Sequence, residues 1–372
     1  MTNSKKNPWQ TSEKNKNRLH SICSYMAMFP ANLPHFFIER YSKEGETILD
    51  PFSGRGTTVL EACLMNRGGI GNDKNILAYV LTKAKADIPQ KGRISSRINK
   101  LEKEFNSRRI SLKNVNLNIR MIFSDFTLKQ LLFLKDKLKW RKSNVDAFIT
   151  SMILGILHGN SEGFLSLSMP NTFSMSPNYI KNFIKKHKLK RPRRNSFELL
   201  KRKLDRCYQK SSKKGVVFNQ DVTKMTKIRS DSIDLIITSP PYTRVIRYGQ
   251  FNWIRLWFLG KTGKETDKKL FFTQSIDKYC RFMFDTLTEF KRVLKSQKKL
   301  ILIIGDVNDR TTKKPYNLAG KIWKKCAKPL GFRLVEPIQP DIIGENTKVS
   351  KIWGDKKGNA TKIDRVLVLE KN

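Results

Sequence analysis

Two short motifs, each set directly after an apolar strand-like run, constrain this chain most. The first, Asp50-Pro51-Phe52-Ser53-Gly54-Arg55-Gly56-Thr57-Thr58, follows Thr47-Ile48-Leu49. The second, Thr238-Ser239-Pro240-Pro241-Tyr242, follows Asp234-Leu235-Ile236-Ile237. A strand that runs into a glycine-bearing turn and then a helical pattern opens a βαβ unit, and such units build parallel sheets. Small residues at that turn let backbone N–H groups come close to a ligand. The pattern predicts an α/β fold with a mostly parallel, twisted sheet.

The rest of the chain divides by composition. Residues 1–19 read as a flexible basic tail, rich in Lys, Asn and Ser. Residues 20–90 form the first part of the α/β domain, with a helix expected over 33–41, a strand over 47–49, a helix over 57–66 and a short strand over 69–71 that leads to Asp73. Residues 91–215 break this rhythm and are mostly helical in pattern. They hold 30 Lys and Arg against 8 Asp and Glu, a net +22. The α/β alternation resumes in 216–372, with strands expected at 216–218, 233–237, 300–304, 332–336 and 366–370 and a helix through 251–258. No internal repeat or heptad pattern is evident.

Charge narrows the partner. The chain carries 74 Lys and Arg against 32 Asp and Glu, a formal net charge of +42, and a positive potential on that scale suits a polyanion. Within the 91–215 insertion, a charge-poor stretch over 163–179 precedes the cluster Lys185, Lys186, Lys188, Lys190, Arg191, Arg193 and Arg194. Lys and Arg neutralise phosphates while polar and aromatic loop residues can reach bases, so the insertion is expected to grip nucleic acid. Charge alone leaves DNA and RNA both open. Cys23, Cys63, Cys207, Cys280 and Cys326 stand singly, which points to neither a zinc site nor a disulfide framework. His20, His35, His158 and His187 are isolated in sequence, and no metal is expected. The N-terminus lacks the apolar core of a secretory signal, and the apolar stretch 147–158 is shorter than the roughly 20 residues of a membrane span. A soluble, cytoplasmic chain is expected.

The motifs carry chemistry of two kinds. Gly54 and Gly56 sit in the turn after Asp50, and Asp73 follows the next strand, where a carboxylate can accept both hydroxyl hydrogens of a ribose. Asp221, after a third strand, is placed to accept from an adenine amine. In the second motif, two consecutive prolines fix the backbone and leave the Pro240 carbonyl free to accept a hydrogen bond, with the Ser239 hydroxyl as a second acceptor. An aromatic amine is a poor nucleophile because its lone pair is delocalised into the ring. Two acceptors around the NH2 favour a more pyramidal nitrogen and turn its lone pair toward a methyl donor. Tyr242 is expected to stack on a base taken out of its helix. Methylation at carbon would need a cysteine nucleophile beside the base, and no cysteine here is preceded by Pro or adjacent to these motifs at a plausible loop.

With these residues in view, the chain resembles the amino-methyltransferases of DNA, which use S-adenosyl-L-methionine to modify adenine N6 or cytosine N4. Asp50, Pro51, Phe52, Gly54, Gly56, Thr57 and Thr58 look like their first cofactor motif, Asp73 like the ribose-binding acid, Asp221 like the adenine-binding acid, and Ser239, Pro240, Pro241 and Tyr242 like the catalytic tetrapeptide. Phe29-Pro30-Ala31-Asn32-Leu33-Pro34 resembles the segment around the methionine end of the cofactor. Arg55 departs from the pattern, standing where a small residue is common. The resemblance implies a Rossmann-like class I methyltransferase fold with a basic, mainly helical inserted target-recognition region at 91–215, and catalytic-domain parts at 20–90 and 216–372. It also implies double-stranded DNA as substrate, a possible cognate restriction endonuclease as partner, and, from Ser at the first tetrapeptide position, cytosine N4 as target. Adenine N6, an RNA base, or DNA binding without catalysis are the alternatives.

Overall fold

The computed structural model describes residues 8–11, 17–26, 29–171, 173–211, 213–241, 247–308, 315–342 and 360–372. The first part of the chain forms α1 (Asn32–Tyr41), β1 (Thr47–Asp50), α2 (Thr57–Leu64), β2 (Gly68–Asn72) and α3 (Ile76–Ala86). The insertion supplies α4 (Lys91–Glu104), α5 (Asp125–Lys137), α6 (Asn144–Ile156), α7 (Pro177–His187) and α8 (Ser196–Cys207). After it come β3 (Val216–Phe218), β4 (Ile233–Thr238), α9 (Trp253–Phe258), α10 (Gly263–Lys269) and α11 (Ile276–Val293). The chain closes with β5 (Leu294–Asn308), β6 (Pro315–Tyr316), α12 (Leu318–Ile322), β7 (Phe332–Leu334), β8 (Gln339–Ile342) and β9 (Ala360–Lys371).

One sheet runs in the order β3-β2-β1-β4-β5-β9-β7, with β6 pairing β5 and β8 pairing β9 beside that path. β3, β2, β1, β4 and β5 are parallel, while β9 lies antiparallel between β5 and β7. The expected mostly parallel sheet is therefore present. From β1 the chain moves outward through β2 to β3, then returns to the other side of β1 for β4 and β5. The reversal leaves a crevice outside the carboxyl ends of β1 and β4, where open α/β sheets bind ligands.

Period-two alternation sends the strand side chains to two different cores. Ile48, Leu235, Ile237, Ile301, Ile303, Val366 and Val368 pack with Leu33, Phe37 and Ile38 of α1. Leu49, Ile236, Leu300, Leu302, Ile304, Leu367 and Leu369 pack with Tyr279, Met283, Leu287 and Phe290 of α11. Both faces are thus covered, as a parallel sheet requires. The apolar stretch expected to be too short for a membrane becomes most of α6, which is buried along nearly its whole length against α3. Leu77, Val80, Leu81 and Ala84 of α3 share a single core with Phe148, Met152 and Ile153 of α6 and with Leu200 and Leu204 of α8. Among the described residues, no helix is long and apolar enough to cross a membrane.

Several elements differ from their expected form. Parts of the basic tail are packed: Trp9 is 3% exposed and its ring lies 5.4 Å from that of Phe37, while Leu19 is fully buried. These apolar anchors are hidden by the polar average of their neighbours. The helix expected through 251–258 is interrupted at Asn252, whose side-chain amide donates to the Tyr248 carbonyl at 2.9 Å and whose side-chain oxygen accepts from Arg255 at 2.9 Å. The strand expected at 300–304 begins at Leu294, directly after α11, with Gln297 in the left-handed region at φ 62°.

Candidate active site

The first motif turns sharply because its glycines permit it. Gly54 and Gly56 have φ of 51° and 77°, a region that costs an L side chain energy. At Gly56 a Cβ would also stand 2.9 Å from the Thr82 Cα, so helix α3 packs too close for anything larger. The turn closes with a Gly56 N–H donation to the Ser53 carbonyl at 2.6 Å, and α2 starts at Thr57. Thr57 and Thr58 are both buried in its first turn. Arg55, the departure from the family pattern, reaches away to the N-terminal segment: its Nη1 donates to the His20 carbonyl at 2.7 Å.

Asp50 ends β1 and Thr238 ends β4, and the two strand ends are joined directly. The Thr238 hydroxyl donates to Asp50 Oδ1 at 2.7 Å, and the Phe52 N–H donates to Thr238 Oγ1 at 3.2 Å and to Asp50 Oδ1 at 3.3 Å. Asp50 is 1% exposed, and burial pushes its carboxyl up to about 6 against the opposing hydrogen bonds from Thr238 and Phe52. Its Oδ1 is committed inside the protein, and Asp50 lines the cleft together with Pro51 and Phe52.

Asp73 stands one strand away. Its Oδ2 accepts from the Gly54 N–H at 3.0 Å and its Oδ1 from the Asn75 N–H at 2.8 Å. Burial pushes this carboxyl up to about 7 despite the two backbone donors. Held in this way, each oxygen keeps acceptor capacity for a further donor. Asp221 is half-buried and pairs with Lys74 at 2.6 Å, while its other oxygen accepts from the N–H and hydroxyl of Thr223 at 3.0 and 2.8 Å. Burial raises its carboxyl, but the bonds from Lys74 and Thr223 outweigh that and hold it below the usual carboxylate range.

A single cleft brings these pieces together. Gly54, Asp73 and Asp221 line it with Ser239, Pro240 and Pro241, and Phe29 of the expected methionine-end segment stands in its wall. Phe52, Val222, Phe271 and Phe282 give it an apolar side, with Phe271 and Phe282 stacked at 3.9 Å. The Ser239 hydroxyl is buried and makes no hydrogen bond among the described residues. A polar atom left without a partner in a cleft is costly unless a ligand satisfies it. Tyr242 lies outside the described residues, as does Thr172 of the charge-poor stretch. The fit to an adenosyl ligand is good in kind: a tight glycine turn, a carboxylate held by backbone, an apolar slot and a second carboxylate.

Two wall residues carry no mark in the sequence. Tyr25 and Tyr248 stack with ring centroids 5.7 Å apart beside Asp73, and the Tyr25 hydroxyl accepts from the Asn75 side chain at 3.0 Å. Tyr25 lies in an irregular segment before α1 and Tyr248 starts a single helical turn over Tyr248–Phe251, where no periodicity singles them out. The histidines also need correction, because His20 and His35 are not isolated in space. His20 Nε2 lies 2.6 Å and His35 Nδ1 3.0 Å from opposite oxygens of Glu61, a fully buried residue of α2. This trio fastens the N-terminal segment and α1 to α2, the helix that follows the glycine turn.

The basic cluster sits elsewhere. None of its seven residues lines the cleft. Lys185 and Lys186 close α7, Lys188 caps it at φ 48°, and these three with Lys190 are exposed. The arginines have partners already. Arg191 donates to the carbonyls of Arg120 and Phe123 at 2.8 and 3.2 Å, Arg193 lies over the Phe126 ring, and Arg194 donates to the carbonyls of Ser161 and Phe164.

A family model described as DNA methylase matches residues 2–83 and 233–364, more than half of the chain. The chain belongs to the N6/N4 DNA methylase family. DNA methylases of this family take their methyl group from S-adenosylmethionine. The matched segments carry both motifs and flank the basic insertion. Among curated relatives, the type II methyltransferase M.MvaI of Kocuria varians is 24% identical over 263 residues, 64% of this chain and 56% of that protein. The type II methyltransferase M.BsoBI of Geobacillus stearothermophilus is 24% identical over 285 residues, 68% and 55% of the two chains. M.HindIII of Haemophilus influenzae is 45% identical over 51 residues, 14% and 16%. The longer matches thus span little more than half of those relatives. A solved S-adenosylmethionine-dependent methyltransferase from Methanosarcina mazei is 11% identical with a TM-score of 0.39, covering 93% of this chain and 99% of that one.

Proposed function

We propose that this chain is a DNA amino-methyltransferase that modifies the N4 amine of a cytosine swung out of the duplex. The observation that carries the reading is the unpartnered Ser239 hydroxyl in the same cleft as the Gly54 turn and Asp73. Membership of the N6/N4 family supports the amine as the methylated group, and Ser rather than Asp or Asn at the head of the tetrapeptide favours cytosine.

S-Adenosylmethionine, when bound, supplies a methyl group on a positively charged sulfur, ready for direct displacement. The protein's part is to bind and orient. The Gly54–Gly56 turn admits the cofactor closely, Asp73 accepts from its ribose hydroxyls, and Asp221 and the apolar wall of Phe52 and Val222 hold its adenine. Ser239 and the Pro240 carbonyl accept from the two amine hydrogens of the base, which localises the nitrogen lone pair toward the methyl carbon. The Ser239 hydroxyl and the Pro240 carbonyl would hold the amine hydrogens while the methyl group is supplied, and the proton the nitrogen loses would pass to solvent. Tyr242 stacks on the extruded base and offsets part of the unstacking cost.

The exposed lysines Lys185, Lys186, Lys188 and Lys190, with Arg193, contact phosphates of double-stranded DNA, whereas Arg191 and Arg194 brace the insertion that carries them. The relatives' names as type II methyltransferases support a role in restriction and modification, with a cognate endonuclease as partner, and family membership supports DNA as substrate. Incubation of the purified protein with labelled cofactor and unmethylated DNA, followed by nucleoside analysis, tests the reading. N4-methylcytosine is the expected product; N6-methyladenine as the sole product would move the assignment to adenine, and transfer to RNA alone would overturn the DNA substrate.

A further inference from the structure

A second cleft opens beside the first and shares with it the wall formed by Tyr248, Leu270 and Phe271. Its far side comes from the insertion, at Asn116, Asn118 and Ser176, so the two parts of the protein face each other across it. The near side is α10 together with Arg247, Tyr248 and Gln250.

Charge and aromatic surface coincide here. Lys264 and Lys268, one helical turn apart, lie on the same face of α10, both exposed and neither in an ion pair among the described residues. Arg247 adds a third cation, its guanidinium 5.6 Å from the centre of the Phe272 ring, and Phe272 is 41% exposed. The one carboxylate among these cleft residues, Asp267, is used internally: it accepts from the Gly249 and Gln250 N–H groups at 2.7 and 3.0 Å. Gly249 and Gly263 approach so closely that a Cβ on Gly249 would stand 2.1 Å from the Gly263 carbonyl oxygen. Helix α10, which carries the lysines, is therefore packed directly against Gly249 and Gln250.

We propose that this cleft holds the DNA strand that carries the extruded base, with its phosphates on Arg247, Lys264 and Lys268 and a neighbouring base against Phe272. The inference rests on the reading of the first cleft as a methyl-transfer centre, since a base delivered there must keep its strand within one wall's thickness. Cations paired with exposed aromatic faces are what a single-stranded stretch of nucleic acid requires. They lie next to the tetrapeptide's cleft, whereas Lys185–Arg194 lines neither cleft.

The test is DNA binding by fluorescence anisotropy over a salt series, without turnover, on three full-length proteins: wild type, Lys264→Glu/Lys268→Glu, and Lys185→Glu/Lys186→Glu. The α10 variant is expected to bind DNA about ten-fold or more weakly at low salt and to show a shallower dependence of log affinity on log salt, by about 0.9 for each phosphate that is no longer neutralised. Its cofactor affinity and melting temperature should match wild type. A milder Lys264→Gln/Lys268→Gln variant, expected to shift in the same direction by less, guards against misfolding of the charge-reversed protein. Unchanged DNA affinity and salt slope in a folded α10 variant would overturn the proposal, as would weakening confined to the Lys185/Lys186 variant. A wild type that binds DNA through α10 but transfers no methyl group would leave the cleft standing and count against the proposed reaction.

Discussion

The Thr238 hydroxyl donates to the Asp50 carboxylate at 2.7 Å, across the boundary between the two strands at which the sheet reverses its order. Asp50 heads the glycine turn and Thr238 immediately precedes Ser239. One buried hydrogen bond thus ties the residues proposed to hold the cofactor to those proposed to hold the base. Replacing Thr238 by Val keeps the shape and removes the donor, leaving the buried carboxyl short of a partner. A loss of about 1–3 kcal/mol in unfolding free energy is expected by denaturant titration. A Thr238→Val protein as stable as wild type would mean that the bond does not matter to the fold.

Asp50 also makes stability depend on pH in a definite direction. Its folded carboxyl lies at about 6, above the ordinary 3.8, so the folded state holds this proton more tightly than the unfolded chain. The favourable contribution is complete below about 4 and is lost as pH rises through 6. Asp50→Asn removes this dependence, and the advantage of the variant over wild type should grow by up to about 3 kcal/mol between pH 4 and pH 7. Parallel unfolding curves for both proteins at the two pH values provide the check.

Much of the site was legible because both motifs sit at strand ends, where an apolar run gives way to glycine or proline. β1, β2 and β4 emerged from local pattern, and Asp73 and Asp221 from their places after β2 and β3. What was not legible came from long-range packing. Tyr25 and Tyr248 stack in the cleft wall from segments far apart in sequence, and Glu61 gathers two histidines that lie 41 and 26 residues away. α11 carries an apolar stripe on a heavily charged helix, and β5 begins within one residue of its end, so neither helix nor strand boundary stood out.

The two backbone donors on Asp73 orient a carboxylate that is proposed to accept from ribose hydroxyls. Only the charged form accepts at both oxygens, and its carboxyl lies near 7 in the free protein. Cofactor affinity should therefore rise as pH increases through 7 and level off above it. Asp73→Ala should weaken binding by about ten-fold or more, equivalent to the roughly 1.5–3 kcal/mol of a hydrogen bond to a charged group, and remove most of that pH dependence. Isothermal titration with the cofactor between pH 6 and pH 8.5 measures both effects.

Gly56 combines a φ of 77° with a neighbouring backbone carbon 2.9 Å from where a Cβ would be. Ala at this position must move α3 or reshape the turn, and backbone of this kind yields little. A loss of about 1–3 kcal/mol in stability is expected, with weaker cofactor binding. At Gly54 the nearest atom to such a Cβ is a Tyr25 ring carbon at 3.4 Å, which can shift, so Gly54→Ala should cost less. Thermal melts of the two variants give the order, and the reverse order would contradict this packing.

Ser239 separates binding from chemistry. Its hydroxyl is buried, lines the cleft and has no partner among the described residues, while the cofactor contacts proposed for Gly54, Asp73 and Asp221 lie on other strands. Ser239→Ala removes a polar atom without breaking a described hydrogen bond, so stability should hold or rise slightly. Cofactor affinity should be unchanged. The rate of methyl transfer under single-turnover conditions should fall by about 100-fold, the scale set by losing one preorganised polar group in a transition state. A folded Ser239→Ala protein that transfers methyl groups at the wild-type rate would remove this hydroxyl from the mechanism.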